Sequence, residues 1–490
     1  MVNFRYIFAT AVIVFGSSFQ FGFQTGVINS PLPLIEIFIS NVTKSRTGHS
    51  DQKFVTAMSS LIVAGFPVGG VFGAIFGGSV SNKMGRKLAL FIFNVPMVIG
   101  SLLMMASQAA FTFEMIIVGR VLVGFACGAF TGIAPVYLAE IAPISIRGVS
   151  GIMHQLAVVS AILISQILGL RELMGTSNLW PYLLGLTLIP SVVLLLFLWV
   201  CPDSPRYILL NSQDTESAKS ALRWYRSNPD NIDAEIEELL AEQKNRGENC
   251  AKFALKDLFH VKALRLALFV AVVAHLAQQF SGINAALFYS TSLFESIGLG
   301  SQSAYATLGV GGMMVVITVV SIFLIERTGR RILLLAGLSV MLASAVVITI
   351  ALALRDRASG LVFLALTFIY IFVGGFAIGP GSIPWFLVGE MFVQETRDPA
   401  TVLTVIVNWV AQIIISLGYP PLLTYLGNFS FVPFIGLLAV FIGLLYSYLP
   451  ETRGRTPRDI QDEFIQVTGG KADDATLGSY TRSFNSDSVL

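Results

Sequence analysis

Asn82-Lys83-Met84-Gly85-Arg86-Lys87 and Glu326-Arg327-Thr328-Gly329-Arg330-Arg331 are two versions of one basic turn, 244 positions apart when Gly85 is set on Gly329. Each sits between two long apolar runs. Glu140 and Arg147, seven apart, return as Glu390 and Arg397 at an offset of 250, and Pro202-Asp203 returns as Pro450-Glu451 at 248. Three markers in the same order at nearly one offset describe a duplicated unit that fills almost the whole chain.

The duplicated unit is apolar. Of 490 residues 54% are hydrophobic and only 12% charged, far more apolar surface than a water-soluble core of this length can use. A helix crossing the hydrocarbon layer needs about 20 mainly apolar residues. Such runs occur twelve times, near 6–28, 55–80, 88–108, 113–139, 149–170, 181–200, 264–290, 303–325, 332–354, 361–389, 400–418 and 429–449. They are continuous rather than alternating, so helices are expected and a barrel is not. The fold class is therefore an all-α membrane protein of twelve transmembrane helices in two pseudo-symmetric six-helix bundles, the first over 1–201 and the second over 264–450. Parallel repeats of this kind are a transporter architecture, with the substrate between the halves near the membrane centre.

Lys and Arg crowd one set of loops, from Lys83, Arg86 and Lys87 through Arg147, Arg206 to Arg265, Arg327 to Arg331 and Arg397 to Arg453, Arg455 and Arg458. The positive-inside rule makes these loops and both termini cytoplasmic. The longest opposite loop, 29–54, carries the sequon Asn41-Val42-Thr43, so Asn41 is a glycosylation candidate on the outside. The first span, with Gln20 and Gln24 and no cleavage pattern behind it, is expected to stay as a helix. Residues 202–263 read as a cytosolic linker of short amphipathic helices, one capped at Asp233, and the polar, Ser-rich tail 451–490 is expected to be disordered beyond Arg458. Cys127, Cys201 and Cys250 show no metal-ligand spacing, so no metal, cofactor or disulfide framework is expected. A net charge of +2 gives no reason to expect nucleic acid.

At the basic ends the repeated acids Glu140, Asp203, Glu326, Glu390 and Glu451 can pair with Arg86, Arg147, Arg330, Arg331 and Arg397. Such pairs are expected to tie the two halves together when the opposite face is open, and to break when it closes. Within the spans the polar groups are amides, the side chains that both donate to and accept from a hydroxyl. Gln155, Ile162 and Gln166 share a face of span 5, and Asn408 and Gln412 a face of span 11. Gln278, Gln279 and Asn284 flank Ser281-Gly282, where span 7 can bend, and Phe376 and Trp385 offer apolar faces for a ring's C–H groups.

Read together, Gly119-Arg120, Pro135-Val136-Tyr137-Leu138-Ala139-Glu140, Arg147-Gly148, His154-Gln155-Leu156, Pro202-Asp203-Ser204-Pro205-Arg206, Gln278-Gln279-Phe280-Ser281-Gly282-Ile283-Asn284, Gly379-Pro380-Gly381-Ser382-Ile383-Pro384-Trp385 and Pro450-Glu451-Thr452-Arg453-Gly454-Arg455 resemble the sugar porters of the major facilitator superfamily, and within them the facilitative glucose transporter family. The resemblance runs from Gln20 to Thr456 and implies an alternating-access hexose carrier in the plasma membrane, with sugar contacts at Gln155, Gln278, Gln279, Asn284, Trp385 and Asn408 and with Phe21 and Phe376 nearby. Three departures bear on the substrate: His275-Leu276-Ala277 where glucose-selective relatives have Gln-Leu-Ser, Met314 in place of a frequent Asn, and Ala377 in place of an acid. They leave fructose open beside glucose. A proton-coupled symporter needs an intramembrane titratable group, and similar symporters carry Asp where Gln24 stands here. A sensor is expected to carry a long cytosolic extension. No nucleophile with its base and no phosphate loop suggests an enzyme. The terminal Ser488-Val489-Leu490 offers a pattern that a PDZ domain can take as an added strand.

Overall fold

The computed structural model describes residues 3–143, 147–209, 214–226, 232–245, 257–296, 298–358 and 360–468. Spans 1 to 6 run Phe4–Gly26, Gln52–Met84, Arg86–Ala106, Glu114–Ile141, Arg147–Leu168 and Trp180–Val200. In the second half span 7 is broken into Lys262–Phe280 and Ile283–Ser296, and span 10 into Gly360–Ile378 and Ile383–Met391. Spans 8, 9, 11 and 12 are Ser303–Thr328, Arg330–Ala353, Gln394–Leu426 and Val432–Tyr448. The expected twelve helices are all present.

Small residues set how closely the helices pack, since lipid offers no hydrophobic incentive for them to meet. A Cβ at Gly73 would lie 1.9 Å from the Phe125 carbonyl oxygen, and one at Gly124 2.0 Å from that of Phe66, so spans 2 and 4 touch backbone to backbone. The halves meet along spans 2 and 11, spans 5 and 8, and the ends of spans 1 and 7. Trp409 of span 11 is driven into the first half, its ring against Gly70 and edge-on to Phe21 and Phe66.

Both described ends of the chain lie on the basic face. Asn3 donates from Nδ2 to the carbonyls of Trp224 and Arg226, and Arg453 donates to the carbonyl of Arg327. The linker contains helices Thr215–Tyr225 and Ile232–Asn245. They are fastened to the first half where Tyr225 donates to the Pro202 carbonyl at 2.6 Å and Arg226 to that of Ile141 at 2.7 Å. Asp233 falls inside the second helix's first turn, not at its cap, and pairs with Lys219 at 2.8 Å.

The opposite loop contains a helix, Leu32–Thr47, between spans 1 and 2. One expectation needs correction. The tail does not become disordered at Arg458, because Pro457–Val467 is helical and packs Ile460 and Phe464 against the second half. That helix starts in a capping box, Thr456 and Asp459 satisfying each other's backbone N–H groups with Pro457 at the first position. The rest of the tail, Ser488 to Leu490 included, lies outside the described residues.

Candidate functional site

Span 7 stops at Phe280 because Gly282 takes φ +92°, a conformation that side chains resist, and the chain restarts as a helix at Ile283. Span 10 stops at Ile378 and restarts at Ile383 across Gly379-Pro380-Gly381-Ser382. The two breaks face each other, and amides stitch them together. Gln278 Nε2 donates to the carbonyls of Pro380 and Gly381 at 2.7 and 3.0 Å. Asn408 Nδ2 donates to Gln278 Oε1 at 2.7 Å, and Gln279 Nε2 donates to Asn408 Oδ1 at 2.7 Å. Asn284 Nδ2 donates to Gln279 Oε1.

The network also sets a histidine. Asn408 Nδ2 lies 3.1 Å from His275 Nδ1, and because the other bonds of Asn408 fix which end is the NH2, Nδ1 must accept. His275 is therefore neutral, its ring edge-on to Trp385 at 5.1 Å. Trp385 is 36% exposed, whereas Gln279 and Asn284 are buried to 8% and 5%, so the indole forms the accessible wall beside the amides. Phe376 packs on the span 10 break against Gly381.

In the first half the buried charge is Arg120, fully enclosed in span 4. Its Nη1 donates to the Gln24 carbonyl at 2.9 Å and to Gln24 Oε1 at 3.0 Å, its Nε reaches the Ile62 carbonyl, and its guanidinium lies 4.7 Å from the Phe66 ring centre. A permanent positive charge is thus held by dipoles and a π face, with no carboxylate among these partners.

The description "Sugar (and other) transporter" belongs to the family model that matches residues 9–464. The chain belongs to this sugar transporter family. It is 38% identical over 459 residues to the human facilitated glucose transporter member 3, covering 94% of this chain and 92% of that one. Human member 14 is 38% identical over the same length, with 88% of that protein covered. Among solved structures, the xylose transporter XylE from E. coli in a partially occluded inward open conformation superposes with a TM-score of 0.77 at 22% identity, over 93% of this chain and all of that one. The POT family transporter PepTSo superposes with a TM-score of 0.61 at 11% identity. The chain is a multi-pass membrane protein of the sugar transporter family, not an enzyme.

Not all the sequence-selected residues of this sugar transporter converge. Gln278, Gln279, Asn284 and Asn408 form one connected set with Trp385 beside it. Phe21 comes from the other half and reaches the set through Trp409, the neighbour of Asn408. Gln412 is buried one turn further along span 11. Gln155 is half-buried, while Ile162 packs near Gly26 and Gln166 is enclosed against Gly311 with both amide atoms unpartnered. The shared face of span 5 is therefore enclosed by helices at Ile162 and Gln166 and half-buried at Gln155. Arg120 and His275 were not selected from sequence as site residues. An Arg deep in an apolar span was the available signal, since such a charge is costly there without a role.

Among the described residues the pairs seen in the basic clusters lie within each half. Arg86 grips Glu140 through two bonds of 2.9 Å, while the backbone N–H groups of Arg86 and Lys87 donate to Asp203 at 3.1 Å. The second half repeats this, Arg330 to Glu390 at 3.0 Å and the N–H groups of Arg330 and Arg331 to Glu451 at 2.9 and 3.1 Å. Asp203 and Glu451 are thus anions on the first turns of spans 3 and 9, where the helix dipole favours them. Gly85 at φ +96° and Gly329 at φ +102° make the turn that brings these N–H groups to the carboxylates. Arg397 bonds only to the Phe392 carbonyl of its own half in the described contacts. The side chains of Arg147 and Glu326 lie outside the described residues. The tie expected at the basic ends belongs to the state with the opposite face open; in this structure the halves meet on the opposite face, where Asn29 bonds to span 7 and Tyr305 donates to Glu172 at 2.9 Å.

Proposed function

We propose that this chain is a passive hexose carrier, glucose first, that works by alternating access in the plasma membrane with its basic face and both termini in the cytosol. The observation that carries the reading is the neutral amide set of Gln278, Gln279, Asn284 and Asn408 beside Trp385, which matches a polyhydroxylated ring with one apolar face. Gln279 and Asn284 are the sugar contacts of this set, and Gln155, Phe21, Phe376, Gln412, Ile162 and Gln166 complete the wall as the halves move. Gln24 explains why the carrier is passive. Its amide oxygen, which has no proton to exchange, is the acceptor that faces Arg120. The names of the relatives, facilitated glucose transporters at 38% identity, support the same assignment.

A fructose-accepting variant of this reading is favoured by Met314 and Ala377, both buried and both without a hydrogen-bonding group. Uptake of labelled glucose and fructose into liposomes, with and without a pH difference, tests all of this. Sugar equilibrates and never concentrates; accumulation above the external level under a proton gradient overturns passive transport, and the ratio of the two uptakes assigns the hexose. The basic clusters, with Arg147 and Arg397, hold each half's cytosolic end as a rigid unit against which the other half closes. Asn41, exposed on the helix Leu32–Thr47, takes the glycan, and Ser488-Val489-Leu490 is offered to a PDZ domain.

A further inference from the structure

The first turn of span 1 is bonded to the linker. Asn3 caps the span, its Oδ1 accepting from the Arg5 N–H at 3.0 Å while its Nδ2 donates to the carbonyls of Trp224 and Arg226 at 3.2 and 2.9 Å. This clamp sets the Arg5 guanidinium 6.0 Å from the centre of the Trp224 ring. Between the start of span 1, the end of span 6 and the linker helix Thr215–Tyr225 lies an open groove of about 430 Å³, lined by Phe4, Arg5, Phe8, Val200 and Trp224. Phe8 stands edge-on to Phe197 of span 6. A second cation stands at the rim. Lys87 Nζ donates to the Trp199 carbonyl at 2.9 Å, beside Val200, and lies 5.8 Å from the centre of the Trp199 ring, which packs on Phe91. Among the described residues neither the Arg5 nor the Lys87 side chain forms an ion pair; Asp203 accepts from the Lys87 backbone N–H instead.

The side chains around the groove point away from the protein, Phe4 being 77%, Trp199 70%, Leu196 63% and Val200 61% exposed. At the end of an apolar span such side chains meet lipid, and an indole there sits at the level of the headgroups. Apolar walls with two unpaired cations at the rim match the boundary between the acyl chains and the phosphate of a lipid. We propose that this groove binds one anionic phospholipid, its phosphate on Arg5 and Lys87 and an acyl chain along Phe8 and Val200. Arg5 supplies a planar fork for the phosphate oxygens and Lys87 a point charge. The groove opens sideways among lipid-facing side chains, so a soluble protein would have to displace lipid to enter it. The bound lipid touches span 1, span 6 and the linker helix at once and braces the linker against the first half. The site rests on the proposed cytosolic placement of the basic face, since the cytosolic leaflet carries the anionic lipids.

The test uses the whole chain in nanodiscs that contain phosphatidylserine or phosphatidylcholine with a photoreactive group high on one acyl chain, and maps the labelled residues by mass spectrometry. Labelling of Phe8 and Val200 is at least about five-fold stronger from phosphatidylserine, the factor that follows from one basic side chain near an anionic surface. Ile99, exposed on span 3, serves as the standard for ordinary lipid contact and shows no such preference. Arg5→Gln lowers the preference about five-fold, Lys87→Gln lowers it likewise, and Arg5→Lys retains most of it. Equal labelling by the two lipids, or a preference unchanged in both glutamine variants, overturns the proposal; if Arg5→Gln does not fold, Lys87→Gln decides. Loss of the preference in excess inorganic phosphate would assign the groove to a soluble anion and overturn the lipid as its occupant. Both leaflets of a nanodisc carry the lipid, so the result is independent of which face is cytosolic, and failure of the site is told apart from failure of that placement.

Discussion

Gln279 has an amide hydrogen uncommitted, whereas both hydrogens of Gln278 are spent on the carbonyls of Pro380 and Gly381. The two neighbours, equivalent in sequence, therefore do different work. A sugar hydroxyl can take the free donor of Gln279 without dismantling anything, while Gln278 holds the two helix breaks together. Losing a hydrogen bond to a hydroxyl that stays in the site costs about 1–3 kcal/mol, so Gln279→Ala weakens sugar binding roughly ten-fold or more, and it also lowers the melting temperature by stranding Asn408 Oδ1 and one Asn284 N–H. Gln278→Ala strands two carbonyls and one Asn408 N–H, and lowers the melting temperature more than Gln279→Ala does. Affinity by tryptophan quenching and thermal melting on the same purified samples check this pair of outcomes; the reverse order would assign the sugar contact to Gln278.

At the scale of elements, the helix Leu32–Thr47 places Glu36 half-buried on the opposite face, where Ser59 Oγ donates to it at 2.9 Å. Burial raises the Glu36 carboxyl above its ordinary range, the Ser59 bond works against this, and Glu295 of the second half adds to the rise. Opening the face hydrates Glu36 and separates it from Glu295, which returns it towards the ordinary value of 4.5. The proton is held more tightly in the closed arrangement. Acidification therefore favours closure, fully so below the ordinary value, and the preference is lost as pH rises through the raised one. A spin-label distance between His49→Cys and Gly298→Cys, exposed positions on this face, shifts towards the short population as pH falls towards the ordinary value of 4.5, and Glu36→Gln makes it flat; a shift of the same size in Glu36→Gln would assign the proton elsewhere. Elements also show what could have been foreseen. The capping box at Thr456 was legible in Thr456-Pro457-Arg458-Asp459, and the polar composition around it hid the signal.

For the whole molecule, the halves act as two bodies joined at spans 2 and 11 and at spans 5 and 8, with a latch on one face. Tyr305 and Glu172 stand on opposite sides of that face at 2.9 Å. A bifunctional thiol reagent across Tyr305→Cys and Glu172→Cys, made cleavable by reductant, holds the face shut. Transport then stops in both directions and returns on reduction. Undiminished uptake with the link intact would mean that substrate does not pass by alternate opening of the two faces.

The sequence by itself determined the number of helices, the duplication and the kinds of groups available in the membrane. Each of these follows from local quantities: apolar run length, the spacing of charged turns, and the choice of amides over carboxylates at Gln24, Gln278, Gln279, Asn284 and Asn408. Partnership was decided only by the tertiary structure. Arg86 and Glu140 carry no mark that says whether they bind within a half or across halves, and Asn29 reads as a turn residue until span 7 lies against it. A hydrogen bond is made or lost within a few tenths of an ångström, and which groups come that close is set by helix packing and by breaks such as Gly282, not by composition or spacing along the chain.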